Sequence, residues 1–202
     1  MKNKTYIIGE IGQNHNGSVD IAKLLVDNAA MKIVDESFNS SLQGIDAIKF
    51  TKRDLDEELT DSAMNKIYDN PNSFGKTYGE HRRALELSND QYLELFNYVK
   101  TKKKDFVITL CSVSCESIFS KFYPDKLKVA SRDLTNLPLL EMLAKTKIPI
   151  IISTGMSDKK DIDNALEVIT KSHENISILH CLSQYPSEYK NLNLNTIPFL
   201  KQ

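Results

Sequence analysis

The chain has 202 residues, of which 41% are hydrophobic, so it can bury one sizeable core. Its formal net charge of −1 gives no electrostatic reason to expect nucleic acid or an acidic membrane surface as a partner. No stretch approaches the ~20 apolar residues of a membrane span, and the N-terminal residues do not resemble a signal peptide. We therefore predict a cytoplasmic protein that has no membrane partner.

Short apolar runs rich in β-branched residues alternate with segments of helical spacing. The runs predict strands over residues 6–11, 45–50, 106–110, 127–130, 148–152 and 176–179. Polar residues 69–75 predict an inserted loop after the second of them. Between the strands, in chain order, the predicted apolar helix faces are Ile21, Leu24, Leu25 and Ala29; Leu85, Leu87, Tyr92, Leu95 and Phe96; Leu137, Leu140 and Leu143; and Ile162, Ala165 and Ile169.

This alternation of strands and helices is typical of βαβ units and a parallel sheet. The strand spacing fits either a (β/α)8 barrel or an open doubly wound sheet, in a single domain. In both folds, ligands bind where the carboxyl ends of the strands meet. The polar residues that follow the predicted strands are therefore the candidates for a site.

Polar side chains are concentrated at these strand ends. Glu10 lies inside the first apolar run, and the segment that follows it is rich in amide and imidazole groups. We predict that these side chains line a site. The residues concerned are Gln13, Asn14, His15 and Asn16 after the first strand, and Lys49, Lys128, Ser131, Ser153, Ser183 and Tyr185 at later ones.

Lys49 and Lys128 are the strongest indication of a ligand, because each lies within an apolar run. Desolvating an unpaired ammonium group is costly, so each lysine needs a carboxylate or a bound anion. Glu10 is one available carboxylate. Two lysines beside several hydroxyl groups indicate an anionic ligand. Further groups that would form a phosphate site are Ser131, Ser153 and the backbone at Thr154 and Gly155.

The residues alone leave two other interpretations of these lysines open. A lysine paired with Glu10 would serve as a purely structural ion pair. Alternatively, Lys49 or Lys128 would form a Schiff base with a carbonyl substrate, as in a class of barrel aldolases.

Several polar residues have a simpler structural interpretation. Residues 16–18 predict a turn followed by a helix cap, and Ser157 is predicted to cap a later helix. We expect His180 to be a core histidine and His173 an exposed loop residue. The three cysteines are predicted to be reduced thiols, and the spacing of Cys111 and Cys115 does not indicate zinc.

Six segments resemble, in the same order, the signature motifs of the sialic acid (N-acetylneuraminate) synthase family. Together they cover essentially the whole chain. They are Glu10-Ile11-Gly12-x-Asn14-His15-Asn16-Gly17-Ser18, Ile48-Lys49-Phe50, Tyr78-Gly79-Glu80-His81-Arg82, Ser131-x-Asp133-Leu134-Thr135-Asn136-Leu137-Pro138-Leu139-Leu140, Ile152-Ser153-Thr154-Gly155-Met156 and His180-Cys181-x-Ser183-x-Tyr185-Pro186.

The resemblance implies an enzyme that condenses phosphoenolpyruvate with an N-acyl amino sugar, usually N-acetylmannosamine, and releases N-acetylneuraminate and phosphate. It also implies a (β/α)8 TIM barrel, a divalent metal (Mn²⁺ or Mg²⁺) that polarises the sugar aldehyde, a C-terminal antifreeze-like domain and a homodimer. On this resemblance, residues 1–202 are the N-terminal part of the barrel, with about six of its eight strands. Strands seven and eight and the antifreeze-like domain are absent from this chain.

Roles for individual residues follow from the same resemblance. The implied catalytic residues are Glu10, Lys49 and Lys128, with Glu10 orienting or deprotonating the water that attacks the substrate. Lys49, Lys128, Ser131 and Ser153 would hold the phosphate and carboxylate of phosphoenolpyruvate, supported by Asn72 and Ser183, while Asp133 and Tyr185 would face the amino sugar.

This sequence also departs from the family pattern. Arg132 stands where the family usually has Gly, and Thr51 replaces a common Gln. The histidines that bind the family's metal lie beyond residue 202, so no metal ligand is assigned in this chain and the isolated chain is predicted to be inactive. The alternative functions are a related legionaminate or pseudaminate synthase, or a truncated, non-catalytic anion-binding remnant.

Overall fold

The computed structural model describes residues 5–31, 33–35, 37, 40–42 and 44–201. Six strands of these residues form one parallel sheet, in the same order as they occur in the chain. The strands of the sheet are β1 (Ile8–Gly12), β4 (Ala47–Lys52), β5 (Asp105–Leu110), β6 (Lys126–Val129), β7 (Ile150–Ser153) and β8 (Ile176–Leu179). A separate antiparallel pair consists of β2 (Ile33–Asp35) and β3 (Ser40–Leu42).

Helices connect the strands of the sheet. They are α1 (Val19–Ala30), α2 (Leu55–Glu58), α3 (Asp61–Met64), α4 (Tyr78–Ala84), α5 (Asn89–Thr101), α6 (Leu137–Lys145), α7 (Lys159–Thr170) and α8 (Thr196–Phe199). Short 3-10 helices cover Val113–Ser120, Ser131–Asp133 and Tyr189–Asn191. The prediction of an α/β fold of the TIM-barrel type, with about six of eight strands in this chain, is confirmed. Within the described residues, no helix has the length and apolarity needed to cross a membrane.

The two faces of the sheet are different. On the helix-covered face, alternate strand residues such as Phe50, Phe106 and Leu127 join the helices in the main core. On the opposite face, Ala47 and Val107 belong to a small apolar cluster that also contains Ile151 and Ile8. Because side chains alternate along a strand, the positions two residues further along point to this second face. Those positions are Glu10, Lys49, Thr109 and Ser153, and Lys128 joins them because it is in register with Thr109.

All six predicted strands are present, but some predicted helix faces are wrong. Helix α1 buries Ala22 and Val26, whereas the predicted Ile21 and Leu24 are 39% and 61% exposed. The face predicted from Leu85 to Phe96 is divided, because α4 ends at Ala84 and α5 begins at Asn89. The remaining faces are largely confirmed, except that Leu137 is exposed.

The helix caps confirm one prediction and contradict another. Ser18 caps α1 by accepting a hydrogen bond from the Ile21 N–H at 3.3 Å, as predicted. Helix α7 is capped by Asp158, not by Ser157. The Asp158 carboxylate accepts the Asp161 N–H at 2.9 Å, and Asp161 accepts the Asp158 N–H at 3.2 Å. Each carboxylate accepts one of the two backbone N–H groups, so this reciprocal arrangement satisfies two otherwise unpaired donors of the first turn.

The burial of α1 predicts which substitutions there destabilise the fold. We expect Val26→Ala to lower the free energy of unfolding by about 2 kcal/mol, because it removes buried methyl groups and leaves a cavity. Leu24→Ala, on the exposed face of the same helix, is expected to change it by less than about 0.5 kcal/mol. Urea denaturation of both variants tests this, and a larger loss for Leu24→Ala would contradict the assignment of the buried face.

Candidate active site

Lys49 lies on the sheet face opposite the helices, next to Glu10 on the neighbouring strand. The two residues are in register between β1 and β4, and their side chains form an ion pair. The Lys49 ammonium also donates a hydrogen bond to the Thr109 hydroxyl on β5 at 3.3 Å. The Lys49 side chain is 12% exposed, whereas that of Glu10 is 51% exposed. A nearly buried cation is thus neutralised by a carboxylate that still reaches solvent.

Lys128 lies on the same face, in register with Thr109 of β5. Among the described residues, no carboxylate lies within ion-pair distance of its ammonium group. Burial lowers the pKa of Lys128, and the nearby charge of Lys49 lowers it further, against the opposing influence of Cys181 and Glu10. The two ammonium groups therefore lie close enough to repel each other, and the Lys128 charge is only partly compensated.

A hollow of about 400 Å³ opens beside Lys128 at the carboxyl ends of β6, β7 and β8. Five predicted site residues line it, namely Lys128, Ser131, Ser153, Ser183 and Tyr185. Arg132, Met156 and Cys181 also contribute to its wall. Lys49 and Glu10 are not in this wall. The structure therefore brings most of the predicted phosphate ligands together. The Lys49–Glu10 pair lies outside the wall of this hollow, on the same face of the sheet.

Gly155 lets the hydroxyl groups of this hollow approach one another. Its N–H donates a hydrogen bond to the Ser131 hydroxyl at 3.1 Å. A Cβ atom at position 155 would lie 2.4 Å from the Ser183 hydroxyl oxygen and 2.8 Å from that of Ser131, so a larger residue does not fit. The Ser153 hydroxyl is buried and has no hydrogen-bond partner among the described residues. A buried, unpaired hydroxyl at the wall of a cation-containing hollow is suited to an anionic ligand.

Asp133 and Arg132 lie next to this hollow but are engaged with each other. The Arg132 guanidinium contacts Asp133 at 3.4 Å and forms a second ion pair with Glu58 of α2. Burial raises the pKa of Asp133, and the charge of Arg132 partly opposes this. The arginine that replaces the family's usual glycine is therefore held by two carboxylates, while its side chain remains 41% exposed at the hollow.

Asn72 lies in a different place from the other predicted ligands. It lines a separate hollow of about 610 Å³, together with Asn14, Phe74 and His81. This hollow lies between the turn after β1 and the predicted insertion, which forms the irregular segment between α3 and α4. The structure does not bring Asn72 to Lys128, so its predicted support of phosphoenolpyruvate has no direct geometric basis.

Part of the polar segment after β1 has a structural role. His15 is fully buried, packs against Phe50 with ring centroids 6.4 Å apart, and accepts the Gly17 N–H at 3.1 Å. Burial lowers its pKa, so the imidazole is held neutral. The Gln13 amide donates to Glu86 at 2.6 Å. His15 therefore supports the turn and does not line a site, which corrects the prediction for this residue.

The remaining histidines and cysteines do not form a metal site in the part of the chain that the structure describes. No group of three or more His, Cys, Asp or Glu side chains there could hold a metal ion. The His180 imidazole is 2.7 Å from the Leu192 carbonyl, and His173 accepts the Asn175 N–H at 3.1 Å. Cys111 and Cys115 are buried free thiols, and burial raises the pKa of Cys111 to about 11.

Several residues of the site region were not found from the sequence. Thr109 contacts Lys49 across 60 positions, and Glu58 contacts Arg132 across 74. Arg53 joins them through its own ion pair with Glu58. Thr109 lies in an apolar strand where a threonine is ordinary. Glu58 lies in an acidic helix, where it resembles any solvated side chain. Neither residue type is unusual at its position, so the sequence did not indicate a site there.

The chain resembles known proteins along almost its whole length. The NeuB family model matches residues 34–202. An N-acetylneuraminate-9-phosphate synthase of Drosophila melanogaster is 34% identical over 97% of this chain and 50% of its own length. An N,N'-diacetyllegionaminic acid synthase of Campylobacter jejuni is 30% identical over 98% of this chain and 57% of its own length.

A solved structure supports the same relationship. The crystal structure of an N-acetylneuraminic acid (sialic acid) synthetase from Leptospira borgpetersenii superposes with a TM-score of 0.76 at 25% identity, covering 100% of this chain and 65% of that one. The chain spans about half the length of the curated relatives it matches. Because the family match extends over most of the sequence and the fold agrees, this chain belongs to the NeuB family, the family of the sialic acid synthases.

Proposed function

We propose that this chain supplies the phosphoenolpyruvate-binding part of a synthase that condenses phosphoenolpyruvate with an N-acyl amino sugar. The observation that carries the proposal is the position of Lys128 and Lys49 on one sheet face, beside a hollow lined by three serine hydroxyls. Phosphoenolpyruvate combines a phosphate with a carboxylate. Such a ligand offsets the desolvation of two neighbouring ammonium groups better than a single carboxylate does.

Phosphoenolpyruvate would occupy the hollow beside Lys128. The Ser131, Ser153 and Ser183 hydroxyls are small donors that can turn toward its oxygen atoms. Holding the enol ester in a fixed orientation reduces the entropic cost of bringing its C3 to the sugar aldehyde. Carbon–carbon bond formation leaves positive charge at C2; water adds there, and the C–O bond to phosphate then breaks.

Glu10 is suited to act on that water. Its carboxylate is paired with Lys49 and remains half exposed on the sheet face opposite the helices. The ion pair orients the Glu10 carboxylate, which would stabilise positive charge at C2 and accept a proton from the attacking water. The structural ion pair considered from the sequence and this catalytic role are therefore compatible. The sugar would lie on the side of Asp133 and Tyr185.

We propose N-acetylmannosamine, giving N-acetylneuraminate, as the sugar substrate in the full-length enzyme. The relatives named for N-acetylneuraminate-9-phosphate support the N-acetylmannosamine skeleton. Their product name also implies a phosphorylated form of this sugar, because C9 of the product derives from C6 of the sugar when three carbons are added at C1. The substrate would then carry a phosphoryl group at C6. A related nonulosonate synthase is the alternative, supported by the legionaminic acid synthases among the relatives. A truncated, non-catalytic anion-binding remnant is the other.

Among the described residues, no group of three or more His, Cys, Asp or Glu side chains could hold the divalent metal that the family implies. The divalent metal remains a prediction. Homodimerisation and a cytoplasmic location remain predictions.

The isolated chain is expected to be inactive. Incubation of residues 1–202 with phosphoenolpyruvate, Mn²⁺ and either N-acetylmannosamine or its 6-phosphate should release phosphate no faster than a protein-free control. A full-length relative such as the Drosophila synthase, assayed with the phosphorylated sugar, serves as the positive control. Substantial turnover by the isolated chain would show that it contains all the required catalytic groups.

Phosphoenolpyruvate binding is expected to depend on the Lys128 charge. Lys128→Met should weaken binding at least about tenfold, because a charge-assisted hydrogen bond contributes about 1.5–3 kcal/mol. Lys126→Met is the matched control, since Lys126 lies on the same strand with Asp105 4.0 Å away. Titration calorimetry measures both, and equal affinities for the two variants would argue against the proposal.

Binding should also weaken at alkaline pH. The pKa of Lys128 lies below that of an ordinary lysine, so the free protein loses this charge as pH rises through the lowered value. A bound anion favours the ammonium form, and affinity therefore falls as pH rises through that window. Titrations above about pH 8, where a phosphoryl group is already doubly ionised, isolate this effect. The dependence should be shallower in Lys128→Met, and an identical profile in both proteins would contradict the assignment.

A further inference from the structure

Three arginines gather near the carboxyl end of β4 and the end of β6, and the reaction proposed above does not use them. This guanidinium cluster consists of Arg53, Arg82 and Arg132. Arg53 directly follows β4, Arg132 follows β6, and Arg82 lies on α4. Burial lowers the pKa of Arg82, and the nearby charge of Arg53 lowers it further.

Glu58 is the acidic residue that two arginines of the cluster share. One Glu58 oxygen accepts hydrogen bonds from both Arg53, at 2.6 Å, and Arg132. The Glu58 side chain is only 10% exposed, so the two guanidinium groups share one nearly buried carboxylate. Among the described residues, Arg82 has no ion pair; its guanidinium lies 5.8 Å from the centre of the Tyr78 ring. Arg53 and Arg132 therefore share one strongly engaged carboxylate, and Arg82 has none.

Several buried polar atoms of this cluster have no hydrogen-bond partner within the described part of the chain. They are Arg53 Nε, Arg82 Nε, Arg82 Nη2 and Glu58 Oε2. Buried N–H groups of arginine are normally satisfied, because an unpaired one retains its full desolvation cost. Three unpaired guanidinium nitrogens in one place indicate that acceptor oxygens belong there.

Two other acidic groups lie beside the arginines. Glu86 accepts the backbone N–H of Arg53 at 3.1 Å and the Gln13 amide at 2.6 Å, and burial raises its pKa. Asp133 contacts Arg132 at 3.4 Å, and burial raises its pKa as well. Burial thus disfavours the charged form of both carboxyl groups, and within the described residues neither of them forms an ion pair with Arg82.

Arg132 connects this cluster to the hollow beside Lys128. Its guanidinium contacts Glu58 and Asp133, and its partly exposed side chain also lines the hollow. Guanidinium groups match the oxygens of a phosphoryl group with paired N–H donors. Asp133 is the residue placed toward the sugar, so an anion held at Arg132 would be a charged group of the sugar substrate.

We propose that Arg132, backed by Arg53 and Arg82, binds the phosphoryl group of a phosphorylated amino sugar and selects it over the unphosphorylated sugar. This inference rests on the proposed function, because it names a subsite for the second substrate. Arg132 makes the contact, while Arg53 and Arg82 supply the surrounding positive charge. A purely structural clamp between α2 and the end of β6 would use the same Glu58 bridge but would not distinguish the two sugars.

Binding measurements on the chain test this selection. Titration calorimetry compares N-acetylmannosamine 6-phosphate with N-acetylmannosamine, each in the presence of phosphoenolpyruvate. The phosphorylated sugar should bind at least tenfold more tightly. Arg132→Gln should reduce this preference to less than threefold, and Arg132→Lys should restore part of it, because lysine keeps the charge but not the forked donors.

Arg83→Gln is the matched control. Arg83 lies on α4 beside Arg82, is 56% exposed, and pairs with Asp56 at 2.6 Å outside the cluster. This variant should keep the full preference for the phosphorylated sugar. Circular dichroism and urea denaturation identify any Arg132 variant that is unfolded, and Arg132→Lys then carries the comparison.

The results distinguish a phosphoryl-binding role of Arg132 from a purely structural one. Equal affinities for the two sugars, no binding of the sugar phosphate, or an unchanged preference in Arg132→Gln would overturn this inference. Phosphoenolpyruvate binding that depends on Lys128 would still leave the proposed function standing. Conversely, Arg132-dependent binding of the sugar phosphate without any phosphoenolpyruvate binding would reject the proposed function and retain an anion site at Arg132.

Discussion

The site region depends on two ammonium groups that are taken out of water on the same face of a parallel sheet. Lys49 and Lys128 directly follow the apolar residues Ile48 and Leu127, on strands whose other face is packed against helices. The strands cannot turn these side chains toward solvent without exposing that core, because alternate residues are committed to opposite faces. Their charges must therefore be compensated by groups or ligands on the sheet face opposite the helices.

The two lysines are compensated to different degrees. Lys49 has Glu10 on the adjacent strand and the Thr109 hydroxyl on the other side. Lys128 has hydroxyl-lined space instead of a carboxylate, and its lowered pKa reflects that incomplete compensation. A sheet face that leaves one cation partly unbalanced is stable enough to fold and still gains from binding an anion. We regard this difference between the two lysines as the physical basis of the binding site.

A continuous line of polar contacts surrounds this face at the carboxyl ends of the strands. Gln13 after β1 contacts Glu86, Glu86 accepts the backbone N–H of Arg53, and Glu58 joins Arg53 to Arg132 after β6. These contacts tie loops from distant parts of the sequence to one edge of the sheet. They give α2, a helix of only four residues, a defined position that its own hydrogen bonds could not ensure. The same contacts place Arg132 at the wall of the hollow.

The sequence by itself determined the six strands of the sheet, their parallel direction and the position of the polar residues at their ends. Apolar runs of the right length and spacing have few other ways to be buried, and a residue near the end of a parallel strand necessarily approaches the site edge. Tertiary structure decided the buried face of α1, the cap of α7, the separation of Asn72 from Lys128, the structural role of His15 and the partners of Arg132. The α7 cap is a local choice between adjacent residues, Ser157 and Asp158, but the others depend on which distant surfaces pack together, as in the contact between Arg132 and Glu58, 74 residues apart. Local periodicity identifies an apolar stripe or a polar cluster, but it carries no information about the distant group that will lie against it.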